Sequence, residues 1–343
     1  MSQMDKGKVI TVRGLVEPGD LGAVMMHEHL HSDCYDWADD RFITAERPAT
    51  GERREYLLRE AVPHLKRCRD FGCKAYVDTT PAPWRVWPDV YVAVSEAADI
   101  HIVLCTGFYR EMEVGTYWVK RPEDRIWPWV IEASEGELAE RCTAEIAAGV
   151  HGTAVRAGAV KLGTSAPEMT DLEAKAFRAG AAAAVATGVH VTTHCTEIGA
   201  ETTQLRALDA AGVDLSRVVI GHTAWHLMDP AGRKSCIEWM RRGANFLPTN
   251  MGVKSPEDGQ KWRPLVEGID EVFDAGLGDR LVLGLDSGFC SEGGAFAPMT
   301  FLPPPPFAHM FTHTLPALRA LGLTADKERT MLRDNPQRII PVQ

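Results

Sequence analysis

Met26-His27-Glu28-His29-Leu30 places two imidazoles two residues apart. In a strand alternate side chains share a face, so His27 and His29 point together to one side and Glu28 to the other. Two imidazoles on one face are part of a metal clamp. His31 has the same parity but lies past the expected strand end, and reads as a loop residue. Four later apolar segments also end on, or carry, a polar residue of ligand type. Arg156-Ala157-Gly158-Ala159-Val160-Lys161 holds one lysine in an apolar run, Thr192-Thr193-His194 and Gly221-His222 end on histidines, and Leu283-Gly284-Leu285-Asp286 ends on an aspartate. A lone buried histidine is usually a satisfied core residue. Five segments presenting such groups at one height point instead to a metal site.

The segments that must position these groups alternate along the whole chain. Ala23–Leu30, Lys74–Thr80, His101–Gly107, Ala157–Thr164, Val189–Cys195, Arg217–Thr223, Ala244–Asn250 and Arg280–Ser287 have the length and apolar density of parallel strands. Helix-like stretches separate them: Ala61–Phe71, Pro88–Ala98, Glu135–Ala148, Asp171–Thr187, Glu201–Ala211, Asp229–Arg242 and Gln260–Ala275, with Phe311–Leu321 and Ala325–Arg333 after the last strand. Gly72, Gly149, Gly188, Gly212, Gly243 and Gly276 stand where helices close on a left-handed residue. Eight strand–helix units predict a (β/α)8 barrel occupying residues 1–343 as a single domain, the doubly wound open sheet being the alternative. Val9–Val12 and Leu15–Val16 around Gly14 predict a short hairpin closing the barrel bottom. Every ligand-type residue then falls at a strand C-terminus, where barrels keep their active sites. A barrel has no sheet edge, so Lys161 cannot be explained as an edge residue in water.

Bulk properties exclude other classes. The net charge is −10, and Lys and Arg are scattered rather than striped, which argues against nucleic acid as a partner. No apolar run reaches the length of a membrane span, and the N-terminus turns charged at once. The eight cysteines include no CxxC pair. Reduced thiols in a cytoplasmic protein are the expectation.

In combination, the HxH strand, the lone lysine, Thr192-Thr193-His194, Gly221-His222 and the final aspartate resemble the phosphotriesterase family of the amidohydrolase superfamily. Arg13-Gly14, Thr106-Gly107-Phe108-Tyr109 and Asp334-Asn335-Pro336 agree with it, so the resemblance spans nearly the whole chain. It implies one divalent metal held by His27, His29 and Asp286, a second held by His194 and His222, and Lys161 bridging both as a carbamate formed with CO2. Zn2+ is the first expectation, with Mn2+, Co2+ or Fe2+ as alternatives. A bare ammonium beside two dications is repelled and cannot coordinate, whereas a carbamate is an anionic oxygen donor. Water between such ions would lose a proton near neutral pH, its pKa falling from about 15.7 toward about 7. Asp286 can bind metal and accept a proton during attack.

The chain also departs from the family. The acidic relay residue expected after the strand-six histidine is missing from His222-Thr223-Ala224-Trp225-His226, and His226 is the available substitute. Tyr109 matches a tyrosine whose hydroxyl can bond to substrate in lactonase-type members, or it is a packed aromatic. Trp118, Trp127 and Trp129 after the third strand, and Phe289, Phe296, Met299, Phe301, Phe307 and Met310 after the eighth, make two apolar loops. They suit a small neutral substrate with an apolar portion, or a homodimer interface. The expected function is hydrolysis of a carboxylic ester or lactone, with amide and phosphotriester hydrolysis sharing the same ligands. A binding barrel without catalysis, or a single-metal deaminase, would leave the full ligand set or Lys161 without a purpose.

Overall fold

The computed structural model describes residues 5–32, 35–36, 41–42, 51–81, 85, 87–112, 125–292, 295–298 and 306–343. Trp118, Met299 and Phe301 fall outside them. The strands are β1 (Val9–Thr11), β2 (Gly14–Val16), β3 (Ala23–Ser32), β4 (Tyr35–Asp36), β5 (Arg41–Phe42), β6 (Cys73–Asp78), β7 (His101–Gly107), β8 (Ala157–Gly163), β9 (His190–His194), β10 (Val218–Gly221), β11 (Asn245–Leu247), β12 (Gly288–Glu292) and β13 (Ala295–Pro298). The main sheet runs β11-β10-β9-β8-β7-β6-β3-β12-β13 and is parallel except for the β12–β13 hairpin. His31, expected in a loop, is inside β3, buried and opposite Phe289.

The eighth expected strand is extended chain rather than a regular ladder, with one bridge, Phe246 to Leu281. It nevertheless joins both neighbours. Val282 N donates to Phe246 O and Asn250 N to Leu285 O on one side; Met26 N donates to Leu283 O and Asp286 N to His27 O on the other. The sheet therefore closes into a barrel.

Two apolar shells follow the period-two alternation of the strands. Val24, Met26, Ala75, Val77, Val103, Ala159, Val219 and Val282 fill the interior, while Met25, Tyr76, Leu104, Val160, Val191, Ile220 and Leu285 face the helices. The helices start where the sequence supplies caps. Ser134 and Thr170 each form a capping box, with Glu137 and Glu173, ahead of helices Glu135–Ala147 and Asp171–Thr187. β1 and β2 form the expected hairpin at the barrel bottom, where Val12 N donates to Ile102 O and the C-terminal Val342 N to Lys8 O. No helix among the described residues is long and apolar enough to cross a membrane.

Candidate metal centre

Each site residue reaches the barrel mouth by a local departure from regular structure or by strand parity. On β3, Val24 and Met26 face the interior, so strict alternation would send His27 outward. A register shift against β6 between Met25 and Glu28 changes the phase, and His27 and His29 turn inward instead. On β8, Lys161 follows the inward parity of Ala159, and on β9 His194 follows that of Thr192. On β10, Val219 and Gly221 hold the inward parity, and His222 enters through a left-handed backbone (φ 62°). Asn250 (φ 61°) and Asp286 (φ 60°) are left-handed at the next two strand ends. Non-glycine residues pay about 1–2 kcal/mol each for that conformation, a cost that clusters at functional sites. Two glycines make room for His27. A Cβ on Gly221 would stand 2.3 Å from Thr193 O and 3.1 Å from His27 Nδ1, and one on Gly284 2.8 Å from His27 N.

The groups converge. Asp286 Oδ1 lies 3.0 Å from His29 Nε2 and 3.6 Å from His27 Nε2, and Asp286 Oδ2 lies 3.7 Å from His222 Nδ1. Donor atoms of His27, His29 and Asp286 all fall within 4.8 Å of one another, a spacing that could hold a metal ion. Lys161 Nζ is 3.2 Å from His27 Nε2. The His222 ring centroid lies 4.6 Å from that of His27, tilted at 60°, and 4.4 Å from that of His194, edge-on at 64°. Three of the four imidazoles have Nδ1 gripped by a hydroxyl: His29 by Thr80 at 2.7 Å, His222 by Thr249 at 2.8 Å and His194 by Tyr109 at 3.2 Å. Such partners fix ring orientation and tautomer for a metal-ligating histidine. His194 Nε2 is buried and has no hydrogen-bond partner.

The electrostatics suit a cation. Burial first, and then Lys161 and the neighbouring imidazoles, hold His27 well below its ordinary value; burial and His222 do the same to His194. Burial brings His222 down to about 4. These rings are therefore neutral and offer lone pairs. Burial alone would raise the Asp286 carboxyl, but His222, His29 and Lys161 outweigh it and hold it at about 2. Burial pulls the Lys161 ammonium down to about 8, at 1% exposure. Neutral imidazoles, one ionised carboxylate and the unpartnered buried nitrogens His27 Nδ1 and His194 Nε2 fit divalent metal.

His27, His29, Lys161, His194, His222 and Asp286 thus stand together, with Tyr109 against His194. His226 faces elsewhere: its Nε2 meets Glu197 O at 3.2 Å, Glu201 Oε2 at 3.4 Å and Cys195 Sγ at 3.8 Å. The residues that sequence reasoning passed over are Thr80, Thr249 and Asn250, although two of them closed predicted strands and so stood at the mouth. Glu28 was expected to point toward the helices, and it interacts electrostatically with Cys68, Cys73 and Tyr76 of the helix-facing shell. Its carboxylate also accepts from Leu285 N (2.7 Å), Ser287 N (2.8 Å) and Ser287 Oγ (2.6 Å), which clips the eighth strand to the first and sets Asp286. Phe307 N donates to the same Ser287 hydroxyl. Trp127, Phe289 and Phe307 of the two apolar loops pack into the fold. Trp127 lies under Arg141 and beside Phe108, and Phe289 packs on Tyr56 and Phe307.

Barrel and site together define a metal-dependent hydrolase. The profile of the phosphotriesterase family matches residues 7–340, and the chain belongs to that family. A Mycobacterium tuberculosis protein named phosphotriesterase homology protein is 27% identical over 339 residues, covering 97% of each chain. An aryldialkylphosphatase of Saccharolobus solfataricus is 26% identical over 337 residues, covering 94% of this chain and 96% of its own. Among solved structures, a mutant of a Deinococcus radiodurans PTE-like lactonase superposes with a TM-score of 0.76 at 27% identity, covering 97% of this chain and 99% of its own.

Proposed function

We propose that the protein hydrolyses a carboxylic ester, in the first instance a lactone with an apolar portion, on a binuclear centre of the zinc type. The observation that carries this reading is the convergence of four imidazoles, one lysine and one carboxylate from five strands, with three rings fixed through Nδ1. His27, His29 and Asp286 would hold one ion, and His194 and His222 the second. Lys161 would serve both once its neutral amine adds CO2, forming an N–C bond and releasing one proton. When bound, the ions supply Lewis acidity, which lowers the pKa of water and polarises the oxygen of the scissile group.

The remaining chemistry belongs to the chain. Asp286, ionised and held between His29 and His222, is the group placed to take a proton. Thr80, Thr249 and Tyr109 receive the Nδ1 protons and keep each Nε2 for the metal. Tyr109 thereby acts as a positioning residue. Trp127, Phe289 and Phe307 are packed, so apolar selectivity is not assigned to them. The likeness to a PTE-like lactonase supports the ester reading. The Saccharolobus relative's name supports phosphotriester hydrolysis as the second reading. A panel of lactone, open ester, amide and phosphotriester substrates, each run with and without chelator, separates them. Metal-dependent turnover highest on the lactone is expected; turnover confined to the phosphotriester would overturn the choice.

A further inference from the structure

Beside the main centre, in the loop after β9, the start of the helix Ala200–Ala210 and the short helix Ala224–Met228, four ligand-type atoms meet in a buried cluster. They are Cys195 Sγ, His226 Nε2, Glu201 Oε2 and the carbonyl oxygen of Glu197. Cys195, Glu201 and His226 are each essentially inaccessible, and their donor atoms lie within 4.8 Å of one another. The separations are 3.2 Å (His226 to Glu197 O), 3.4 Å (His226 to Glu201), 3.8 Å (His226 to Cys195) and 3.9 Å (Cys195 to Glu197 O).

These spacings are informative. A charge-assisted hydrogen bond between His and Glu draws its atoms to about 2.7–2.9 Å. The His226–Glu201 contact is much longer. One N–H on Nε2 can satisfy one acceptor well, yet three acceptor-type atoms surround it. A tetrahedral zinc-type ion with bonds of ~2.3 Å to sulfur and ~2.0–2.2 Å to nitrogen and oxygen sets its ligands about 3.4–3.6 Å apart. The observed separations scatter around that value. Glu201 is also braced as a ligand should be: Oε1 accepts from Ser235 Oγ at 2.5 Å and Oε2 from Gly199 N at 2.6 Å.

We infer that Cys195, Glu201 and His226, with the carbonyl of Glu197, form a second, structural metal site for a borderline divalent cation such as Zn2+. Binding displaces the thiol proton to solvent and leaves a Cys–His–Glu–carbonyl set with no open position, so the site holds structure and takes no substrate. It pins the loop after His194 to the short helix Ala224–Met228 after His222, and so braces both strand ends of the main centre.

The main centre contains no sulfur ligand, which makes the test specific. The full chain, stripped of metal and reconstituted with Co2+, should show a thiolate-to-cobalt charge-transfer band. Cys195→Ser should lose that band and hold one Co2+ per chain fewer than the wild type. The difference between the two proteins is independent of how many ions the main centre holds. Glu201→Gln, which keeps the thiol, should lose the same equivalent and guards against a folding defect peculiar to one substitution. A wild-type cobalt spectrum without a thiolate band, or equal metal content in wild type and Cys195→Ser, overturns the proposal.

Discussion

Lys161 Nζ stands 3.2 Å from His27 Nε2 at the centre of the barrel mouth, with both side chains at 1% exposure. An ammonium there is poorly solvated and faces neutral rings with a single carboxylate nearby. As a carbamate, the same side chain completes a donor set that otherwise holds one anion for two dications. Lys161→Ala should therefore lose metal and turnover together, with partial recovery on adding a short carboxylic acid and metal. Carbon-13 spectra after exchange with labelled CO2 should show one carbamate signal that the variant lacks. A wild type with no such signal and undiminished turnover contradicts the bridging role.

In the proposed mechanism Asp286 has two functions, ligand and proton acceptor. Asp286→Asn preserves shape and some ligation but cannot take a proton. Its kcat should fall on the order of 10²–10⁴-fold, the range for a positioned acid–base group, while far-UV circular dichroism stays unchanged. Near-normal turnover would remove Asp286 from the chemistry.

The Glu28 clip predicts a coupled loss. In Glu28→Gln one acceptor becomes an NH2 facing the backbone donors of Leu285 or Ser287. Leaving a buried polar group unsatisfied costs about 1–3 kcal/mol. Thermal unfolding should shift down, and kcat should fall with it, because residues 285–287 carry Asp286. A destabilised variant with unchanged kcat would show that the clip holds the barrel closed without setting the carboxylate.

Alternation and strand-end position were enough to identify the barrel and its six ligand-type residues. Alternation worked for Lys161 and His194 for the simple reason that their strands keep phase. It reached the right answer for His27 and His29 only because the register shift after Met25 reverses the parity that Val24 and Met26 follow. His222 depended on a left-handed backbone that its residue type does not announce. Thr80 closes a predicted strand and Thr249 precedes the end of another, but neither was legible as a partner of His29 or His222, since hydroxyls in strands are usually packing residues. The eighth strand looked regular in sequence; the ladder gives way where the Glu28 side chain takes backbone donors of Leu285 and Ser287.

If the substrate pocket is apolar, a homologous series of lactones should show it. Each added methylene should raise kcat/KM by a factor equivalent to about 0.8 kcal/mol until the pocket is full. Trp127→Ala, whose ring packs beneath Arg141, should lower stability without altering that slope. A flat or falling series would assign the loop aromatics to packing or to a subunit interface, and remove the preference for an apolar substrate.

On the proposed reading, hydrolysis depends on two ions held by His27, His29, Lys161, His194, His222 and Asp286. Its most direct test is a titration of metal-free Cys195→Ser protein with Zn2+ in the presence of bicarbonate, following turnover of the best substrate from the panel. Activity should climb until two equivalents per chain are bound, as a two-metal site requires. Saturation at one equivalent, or full activity with none, would contradict it.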